Sequence, residues 1–296
     1  MTTIQPPLPW GTRTFIMGII NVTPDSFSGD GLLRQKDAVK AAVKQAEIFL
    51  KDGADILDVG GESTRPKAKP VSEQEEIARV IPVIEAIISA FPDALISIDT
   101  YKPNVARKAL AAGAQWVNDI WGFRANPELA AVVAEFQAPV ILMHNRLKPG
   151  SAILEARLGG RFVGTHYDDL IGDICEDLLT SVALAHKQCI PDEKIILDPG
   201  IGFGKTVSQN LELLDRLDRI KALGYPLLVG ISRKSFIGYT LDLPPDERVE
   251  GTIAAAAVSI DRGADILRVH DVAVMSRIAR MTDAILRHDP HPPVEQ

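Results

Sequence analysis

The side chains able to do chemistry fall into two sets of opposite sign, and both stand just after short apolar runs. One set is anionic or amide: Asp58, Asp99, Asn118 and Asp198. Carboxylates gathered in one pocket can accept paired N–H donors from an amidine- or guanidine-like heterocycle, hold a metal, or act as bases. A single Asp more often pairs with a neighbouring Arg or caps a helix; four such groups on one rim favour a ligand. The other set is cationic: Arg65, Lys205, Arg233, Lys234, Arg268 and His270. In a chain of net charge −7, cations beside apolar runs point to a local anion site, with phosphate as its chemistry. Arg268 and His270 alternate, so on one strand they project to the same side. Lys205 alone reads as a solvated surface charge.

Two glycine-containing segments adjoin these groups. Asp198-Pro-Gly-Ile-Gly-Phe-Gly-Lys-Thr206 resembles a phosphate loop but fails the Walker A spacing, because Pro199 stands where the first glycine belongs. Its glycines instead let the backbone bring Asp198 and Phe203 close to a flat ligand. In Gly230-Ile-Ser-Arg-Lys-Ser235, Lys234 can be a Schiff-base nucleophile, a proton donor or an anion ligand, and the residues alone do not choose. No His-x-x-x-His or Cys/His cluster supports a protein-built zinc site, and no Gly-x-Ser-x-Gly elbow occurs. Asn21, beside an anionic substrate, can help hold Mg²⁺, an ion that keeps waters and leans on substrate phosphates.

The elements that must position these groups are legible from periodicity. Eight short apolar runs read as strands buried on both faces: Phe15–Val22, Ile56–Val59, Leu95–Ile98, Trp116–Ile120, Val140–Met143, Ile195–Leu197, Leu227–Ile231 and Ile266–Val269. Between them lie amphipathic stripes such as Val80, Ile81, Ile84, Ile87 and Ile88. Ser72 with Glu75 reads as a capping box, and Asn126-Pro127 as an N-cap followed by N1 proline. Gly53, Gly113, Gly224 and Gly263 sit where left-handed caps end helices. Asp52-Gly-Ala-Asp-Ile-Leu-Asp-Val-Gly60 nearly repeats as Arg262-Gly-Ala-Asp-Ile-Leu-Arg-Val-His270, which suggests one βα unit used many times.

This pattern predicts a single-domain (β/α)₈ TIM barrel over residues 14–287, with the active site at the C-terminal face of the strands. Residues 1–13 form a lead-in and 288–296 a disordered tail. A doubly wound open sheet is the alternative, but its polar strand ends would cluster near one switch point rather than follow nearly every strand. Residues 60–70, 23–35 and 145–166 are long enough to cover the barrel mouth; the last is equally readable as a tolerated insertion. The pI of about 5.4 disfavours general nucleic-acid binding, and no apolar stretch reaches membrane-spanning length. Two cysteines, Cys175 and Cys189, make no disulfide framework and fit a reducing, cytoplasmic setting.

Over about residues 14–287 the chain resembles the dihydropteroate synthases, members of the pterin-binding barrel superfamily. The resemblance rests on ordered blocks: Met17-Gly-Ile-Ile-Asn-Val-Thr-Pro-Asp-Ser-Phe-Ser28, Asp58-Val-Gly-Gly-Glu-Ser-Thr-Arg-Pro66, Ser97-Ile-Asp-Thr100, Val117-Asn-Asp119, Asp198-Pro-Gly-Ile-Gly-Phe-Gly-Lys205, Gly230-Ile-Ser-Arg-Lys-Ser235 and Arg268-Val-His-Asp271. It implies condensation of a dihydropterin hydroxymethyl pyrophosphate with p-aminobenzoate, with Mg²⁺, to give dihydropteroate and pyrophosphate. It implies that Asp99, Asn118, Asp198 and Lys234 read the pterin, with Met143 packed beside it. Asn21, Arg268 and His270 would hold the pyrophosphate, and Asn21 its metal. Phe27, Thr64, Arg65, Pro66, Phe203 and Ser235 would form the p-aminobenzoate site. By the same resemblance, Lys234, Asp99, Arg268 and His270 would carry the catalytic roles.

Loop one reads Ser28-Gly-Asp-Gly31 where many relatives carry Asp directly after the Ser, which leaves the role of Asp30 open. His144 receives no catalytic role. A folate-to-corrinoid methyltransferase barrel would share the pterin pocket without needing the Ser-Thr-Arg-Pro loop or the Ser-Arg-Lys-Ser block. A non-catalytic pterin-binding paralogue would show damage to these blocks, and a Schiff-base aldolase would use Lys234 covalently. Gly251 to Ile260 is small and apolar nearly all round, so it either packs tightly on the barrel or forms the interface of a homodimer.

Overall fold

The computed structural model describes residues 8–22, 31–63, 68, 70–147, 152–155 and 157–287, the side chains of 31–36 and 154 excepted. In chain order the elements are β1 (Phe15–Asn21), α1 (Gly31–Lys51), β2 (Ile56–Gly60), α2 (Glu73–Ala90), β3 (Leu95–Asp99), α3 (Pro103–Ala111), β4 (Trp116–Asp119), α4 (Glu128–Phe136) and β5 (Val140–Met143). There follow β6 (Ala152–Glu155), β7 (Gly159–Phe162), α5 (Leu170–Lys187), β8 (Ile195–Asp198), α6 (Val207–Asp215), α7 (Leu217–Lys221), β9 (Leu228–Gly230), α8 (Ser235–Leu241), α9 (Val249–Asp261), β10 (Ile266–Val269) and α10 (Val272–Arg287). Eight strands pair side by side in the order β8-β5-β4-β3-β2-β1-β10-β9. A parallel bridge between Leu197 and Leu227 joins the two ends, so the sheet closes into the expected barrel.

The strands read as unbroken apolar runs because both faces are covered. Phe15, Met17, Ile56, Leu95, Trp116, Ile141, Ile196, Leu228 and Ile266 form one buried cluster inside the barrel. The alternating residues, among them Ile16, Leu57, Ile96, Val117 and Leu267, belong to a second cluster shared with the surrounding helices. Leu8 and Trp10 of the lead-in pack against the interior cluster. The Trp10 ring meets Phe15 edge-on, with centroids 5.7 Å apart, and leans on Trp116 at 6.3 Å. The N-terminal end of the barrel is thereby stoppered, which leaves the C-terminal end to hold a site.

The near-repeat has a physical cause. Asp55 donates its backbone N–H to the Ile16 carbonyl at 2.8 Å, and its carboxylate accepts the Ile16 N–H at 2.8 Å. Asp265 does the same to Leu227, with 2.8 Å and 2.7 Å. Each copy thus locks a new strand to its neighbour through both main-chain groups of one residue. The four glycines before or within these junctions, Gly53, Gly113, Gly224 and Gly263, all have positive φ, as the sequence predicts.

Three local expectations are adjusted. Ser72 caps α2 by accepting the Glu75 N–H at 3.2 Å, but the Glu75 carboxylate pairs with Arg79 instead of returning to the cap. A complete capping box stands instead at Thr206 and Gln209, opening α6. At α4 the cap position falls on Pro127, while Asn126 Oδ1 accepts from the Glu128 N–H at 3.3 Å. The stretch after β5 is also more than a loop, because β6 and β7 pair as an antiparallel hairpin from Ala152↔Phe162 to Glu155↔Gly159. Helix α9 packs closely: a Cβ at Gly251 would stand 2.2 Å from Ile237, and Thr252, Ala255, Ala256, Ser259 and Ile260 are buried. Among the described residues no helix is long and apolar enough to cross a membrane.

Candidate active site

Above the apolar interior the inward positions turn polar. Asp58 sits on β2, Asp99 ends β3, Asn118 lies on β4, Met143 and Asp198 end β5 and β8 as register partners, and Arg268 lies on β10. The strand period puts each on the same side as an apolar interior residue of its own strand, two positions before it or, for Asp99, four, so they form one ring at the C-terminal end. Asn21 ends β1 opposite Gly60, and His270 follows Arg268 by two residues, one step nearer the opening.

Arg268 is the centre of this ring. Its Nε donates to Asp58 Oδ2 at 2.6 Å and its Nη2 to Asp99 Oδ2 at 2.6 Å. Asn118 Nδ2 donates to the same Asp58 oxygen at 3.0 Å. One guanidinium therefore serves two carboxylates, and Asp58 is fully buried. Burial pushes the Asp99 carboxyl up to about 7, against the opposing pull of Arg268; the nearby Asp58 charge adds to the rise. Burial alone would lower the Arg268 pKa, but Asp58 and Asp99 outweigh it and hold the guanidinium charged. Both cations pack beside Gly230: a Cβ there would meet Lys234 Nζ at 3.6 Å and Arg268 Cβ at 4.0 Å, ordinary contact distances.

Lys234 is the second cation of the ring. Burial lowers its pKa to about 8, with Asp198 pulling the other way and Arg268 adding to the fall. Its ammonium hydrogen-bonds the Ile201 carbonyl and lies 4.8 Å from the Phe203 ring centroid. Asp198 Oδ1 accepts the Gly200 N–H at 2.7 Å, which fixes the carboxylate at the start of the glycine-containing turn. Burial raises the Asp198 carboxyl, with Lys234 opposing. Ser235 opens α8 directly after Lys234. His270 Nδ1 lies 3.0 Å from Ser232 Oγ, which orients the ring at the rim. A cleft of about 180 Å³ opens over β3, β4 and the 198–205 turn; Asp99, Ile120 and Phe203 line it together with Glu62, Tyr101 and Trp121.

The structure thus brings together Asp99, Asn118, Met143, Asp198, Lys234 and Arg268, with Phe203, Ser235, His270 and Asn21 around them. Phe27, Asp30, Thr64, Arg65 and Pro66 lie outside the described residues. Two cations behave differently from the sequence expectation. Arg233 is taken up by Asp271, at 2.9 and 2.5 Å. Lys205 is buried rather than solvated, with 3 % exposure. Its ammonium donates to the Gly200 carbonyl at 2.9 Å and the Phe203 carbonyl at 3.1 Å, and faces His144 Nδ1 at 3.0 Å. Burial lowers both Lys205 and His144; for His144 the value falls to about 3, so its ring is neutral and Nδ1 can accept. Gly200 makes this possible, since its φ is +67° and a Cβ there would lie 1.9 Å from the His144 carbonyl oxygen. Lys205 is therefore the internal tie of the turn that carries Phe203. The turn's positive-φ glycines were the available signal; the burial they create was not visible from residue type.

The fold and the polar ring define a barrel whose C-terminal mouth gathers acidic, amide and cationic side chains, the kind of lining a polar heterocycle and an anion require. A family model described as Pterin binding enzyme matches residues 17–270. A dihydropteroate synthase of Clostridium beijerinckii is 50% identical over 278 residues, 94% of this chain and 96% of that protein. A dihydropteroate synthase from Clostridium difficile, solved in the presence of pteroic acid, superposes with a TM-score of 0.85 at 46% identity, covering 95% of this chain and 99% of that one. The Xanthomonas albilineans dihydropteroate synthase with 4-aminobenzoic acid gives 0.82 at 40% identity, covering 92% and 93%. The chain belongs to the pterin-binding enzymes and, within them, to the dihydropteroate synthases.

The two shifted groups predict a pH dependence of pterin binding. Asp99 is protonated below about 7, so as pH falls through that value it loses its charge and one of its acceptor oxygens becomes a donor. Lys234 loses its cation as pH rises through about 8. Affinity for a neutral pterin, measured by calorimetry, should peak between these values and fall about tenfold per pH unit outside them. Asp99→Asn should remove the acid limb and Lys234→Arg the alkaline one. A flat profile in the wild type would contradict both assignments.

Proposed function

We propose that this chain joins a dihydropterin bearing a hydroxymethyl pyrophosphate to p-aminobenzoate, releasing pyrophosphate and giving 7,8-dihydropteroate. The observation that carries this reading is the inward ring itself: acceptors Asp99, Asn118 and Asp198 and donor Lys234 around one end of the barrel, with Arg268 and His270 aligned toward the opening. Asp198 and Asn118 read the amino-pyrimidinone edge, Asp99 accepts from the reduced ring, and Lys234 donates to its acceptor atoms. Met143 packs beside the ring. Arg268 and His270 then face the pyrophosphate. Phe203, Ser235 and the Phe27 and Thr64-Arg65-Pro66 segments form the arylamine side.

In this reaction the bond from the pterin methylene to pyrophosphate oxygen breaks, and positive charge spreads into the pterin ring. The neutral arylamine nitrogen attacks that carbon, a C–N bond forms, and the nitrogen's proton passes to solvent. Arg268 and His270 stabilise the departing charge, because preformed donors in a water-poor site are worth most where charge develops. No covalent bond to Lys234 is needed. Among the described residues no cluster of three or more His, Cys, Asp or Glu forms a metal site by itself. The Asn21 amide oxygen at the end of β1 would help hold a Mg²⁺ ion carried on the pyrophosphate; when bound, the ion would add neutralising charge at the leaving group. A cytoplasmic setting accords with the two free thiols, Cys175 and Cys189.

The same reading includes a homodimer. Helix α10 buries Val272, Met275, Ala279 and Asp283 on its inner face. A second apolar stripe, Val274, Ile278, Met281 and Ile285, follows helical spacing on another face, with Met281 and Ile285 61% and 58% exposed. Val258 on neighbouring α9 is exposed as well. A stripe of this kind suits a self-complementary two-fold contact.

Two experiments follow. Wild-type protein given the pterin pyrophosphate, p-aminobenzoate and Mg²⁺ should form dihydropteroate, followed by mass. Lys234→Ala and Arg268→Ala should lower kcat/KM by at least a hundredfold. Absence of product with the pterin still bound would turn the reading toward a binding paralogue. Sedimentation at micromolar concentration should show a dimer that Ile285→Lys converts to monomer; a wild-type monomer would remove the dimer from the account.

A further inference from the structure

The hairpin that follows β5 touches both segments that carry the site. Its backbone is held by Arg248, a guanidinium only 3% exposed. Arg248 Nη2 donates to the Leu158 carbonyl at 2.7 Å and Nη1 to the Arg233 carbonyl at 3.1 Å, one residue before Lys234. The room for it comes from Gly238, where a Cβ would stand 2.1 Å from the guanidinium. On the outer side Arg157 pairs with Asp242, and Arg161 lies over the Tyr239 ring at 5.0 Å. Past the hairpin, the Thr165 N–H and hydroxyl both donate to the Gly204 carbonyl, at 2.9 and 3.1 Å. The hairpin is thus fastened to the 230–235 segment on one side and to the 198–205 turn on the other.

At its last residue it meets the site. The Phe162 ring stacks on Phe203 with centroids 6.0 Å apart and planes 24° from parallel. Lys234 Nζ lies 4.8 Å from the centroid of that same Phe203 ring, and Phe203 lines the cleft. The Phe203 backbone is set by Lys205 through the turn, but its side-chain torsions are set by what touches the ring. Of the described aromatic residues, Phe162 is the one stacked on it.

We propose that Phe162 is a positioning residue for the arylamine: the β6–β7 hairpin uses its ring to hold Phe203 beside Lys234, and this pose sets how tightly the arylamine is gripped. The proposal rests on the reading of Phe203 as part of the p-aminobenzoate site. It assigns the 152–162 insertion a role in selecting the second substrate rather than that of a passive surface extension. An offset aromatic pair attracts beyond the area it buries, enough to bias one ring orientation over others by several-fold.

The test is steady-state kinetics on wild type, Phe162→Ala, Phe162→Tyr, Phe203→Ala and the Ala/Ala double variant. Phe162→Ala should raise KM for p-aminobenzoate about fivefold, leave KM for the pterin pyrophosphate within twofold, and change kcat little. Phe162→Tyr, which keeps the ring, should restore the wild-type KM. In the Phe203→Ala background, Phe162→Ala should have no further effect. An unmoved KM for p-aminobenzoate with a lowered melting temperature would make the hairpin a brace only and overturn the proposal. So would equal rises in both KM values, or additive effects in the double variant. A wild-type protein that makes no product overturns the functional reading and this proposal together, whereas wild-type turnover with an unmoved Phe162→Ala overturns this proposal alone.

Discussion

One guanidinium shared between two buried carboxylates organises the open end of this barrel. Arg268 reaches Asp58 and Asp99 at the same 2.6 Å, and Asp58 takes a further bond from Asn118. Leaving a buried carboxylate without its cation costs about 3–5 kcal/mol, so the three residues stand or fall together. Much else follows from keeping Arg268 in place. Burial holds the Asp99 proton more tightly than an ordinary carboxyl's, and the guanidinium it shares with Asp58 offsets only part of that rise. The near-repeat supplies the geometry. Its seventh position is Asp58 in one copy and Arg268 in the other, and the two copies flank β1 on either side, with Asp58 level with Ile19 and Arg268 level with Met17. The same position of two similar strand junctions thus carries an anion in one and its cationic partner in the other.

The two lysines of the neighbouring turns illustrate how backbone decides chemistry. Lys234 and Lys205 both lie beside glycine and both are lowered by burial. Lys205 spends its donors on the carbonyls of its own turn and on His144, so it shapes the loop. Lys234 gives one bond to Ile201 and stands beside Asp198 and Phe203 at the ring. His144 likewise follows a strand end without joining the ring. Burial keeps its ring neutral, and the neighbouring Lys205 adds to that effect.

The barrel was readable because it depends on local regularities. Continuous apolar runs, polar residues just after them and glycine at helix exits each have a short-range cause, and eight repetitions leave little choice of fold. The residues of the ring were readable for the same reason, since most lie at or near the end of a recognisable strand and Lys234 follows one by four residues. What was not readable depends on contacts made at long range. Asp58 appears in sequence as one strand-end acid among several; its pairing with Arg268 spans 210 residues. Lys205 looks solvated until the Gly200 turn folds it against His144. The hairpin escaped because Gly159-Gly160-Arg161 breaks the alternation that marks a strand, and its stability comes from Arg248, far along the chain.

The shared guanidinium is open to a direct measurement: a carbon-detected NMR titration of aspartate carboxyls, with Asp99→Asn assigning the signal. The account predicts one carboxyl that titrates near 7 in the wild type and disappears in Asp99→Asn. In Arg268→Lys, whose single ammonium cannot face both acids as the guanidinium fork does, it should move higher. An Asp99 carboxyl that titrates near 4, or one unmoved by Arg268→Lys, would contradict it.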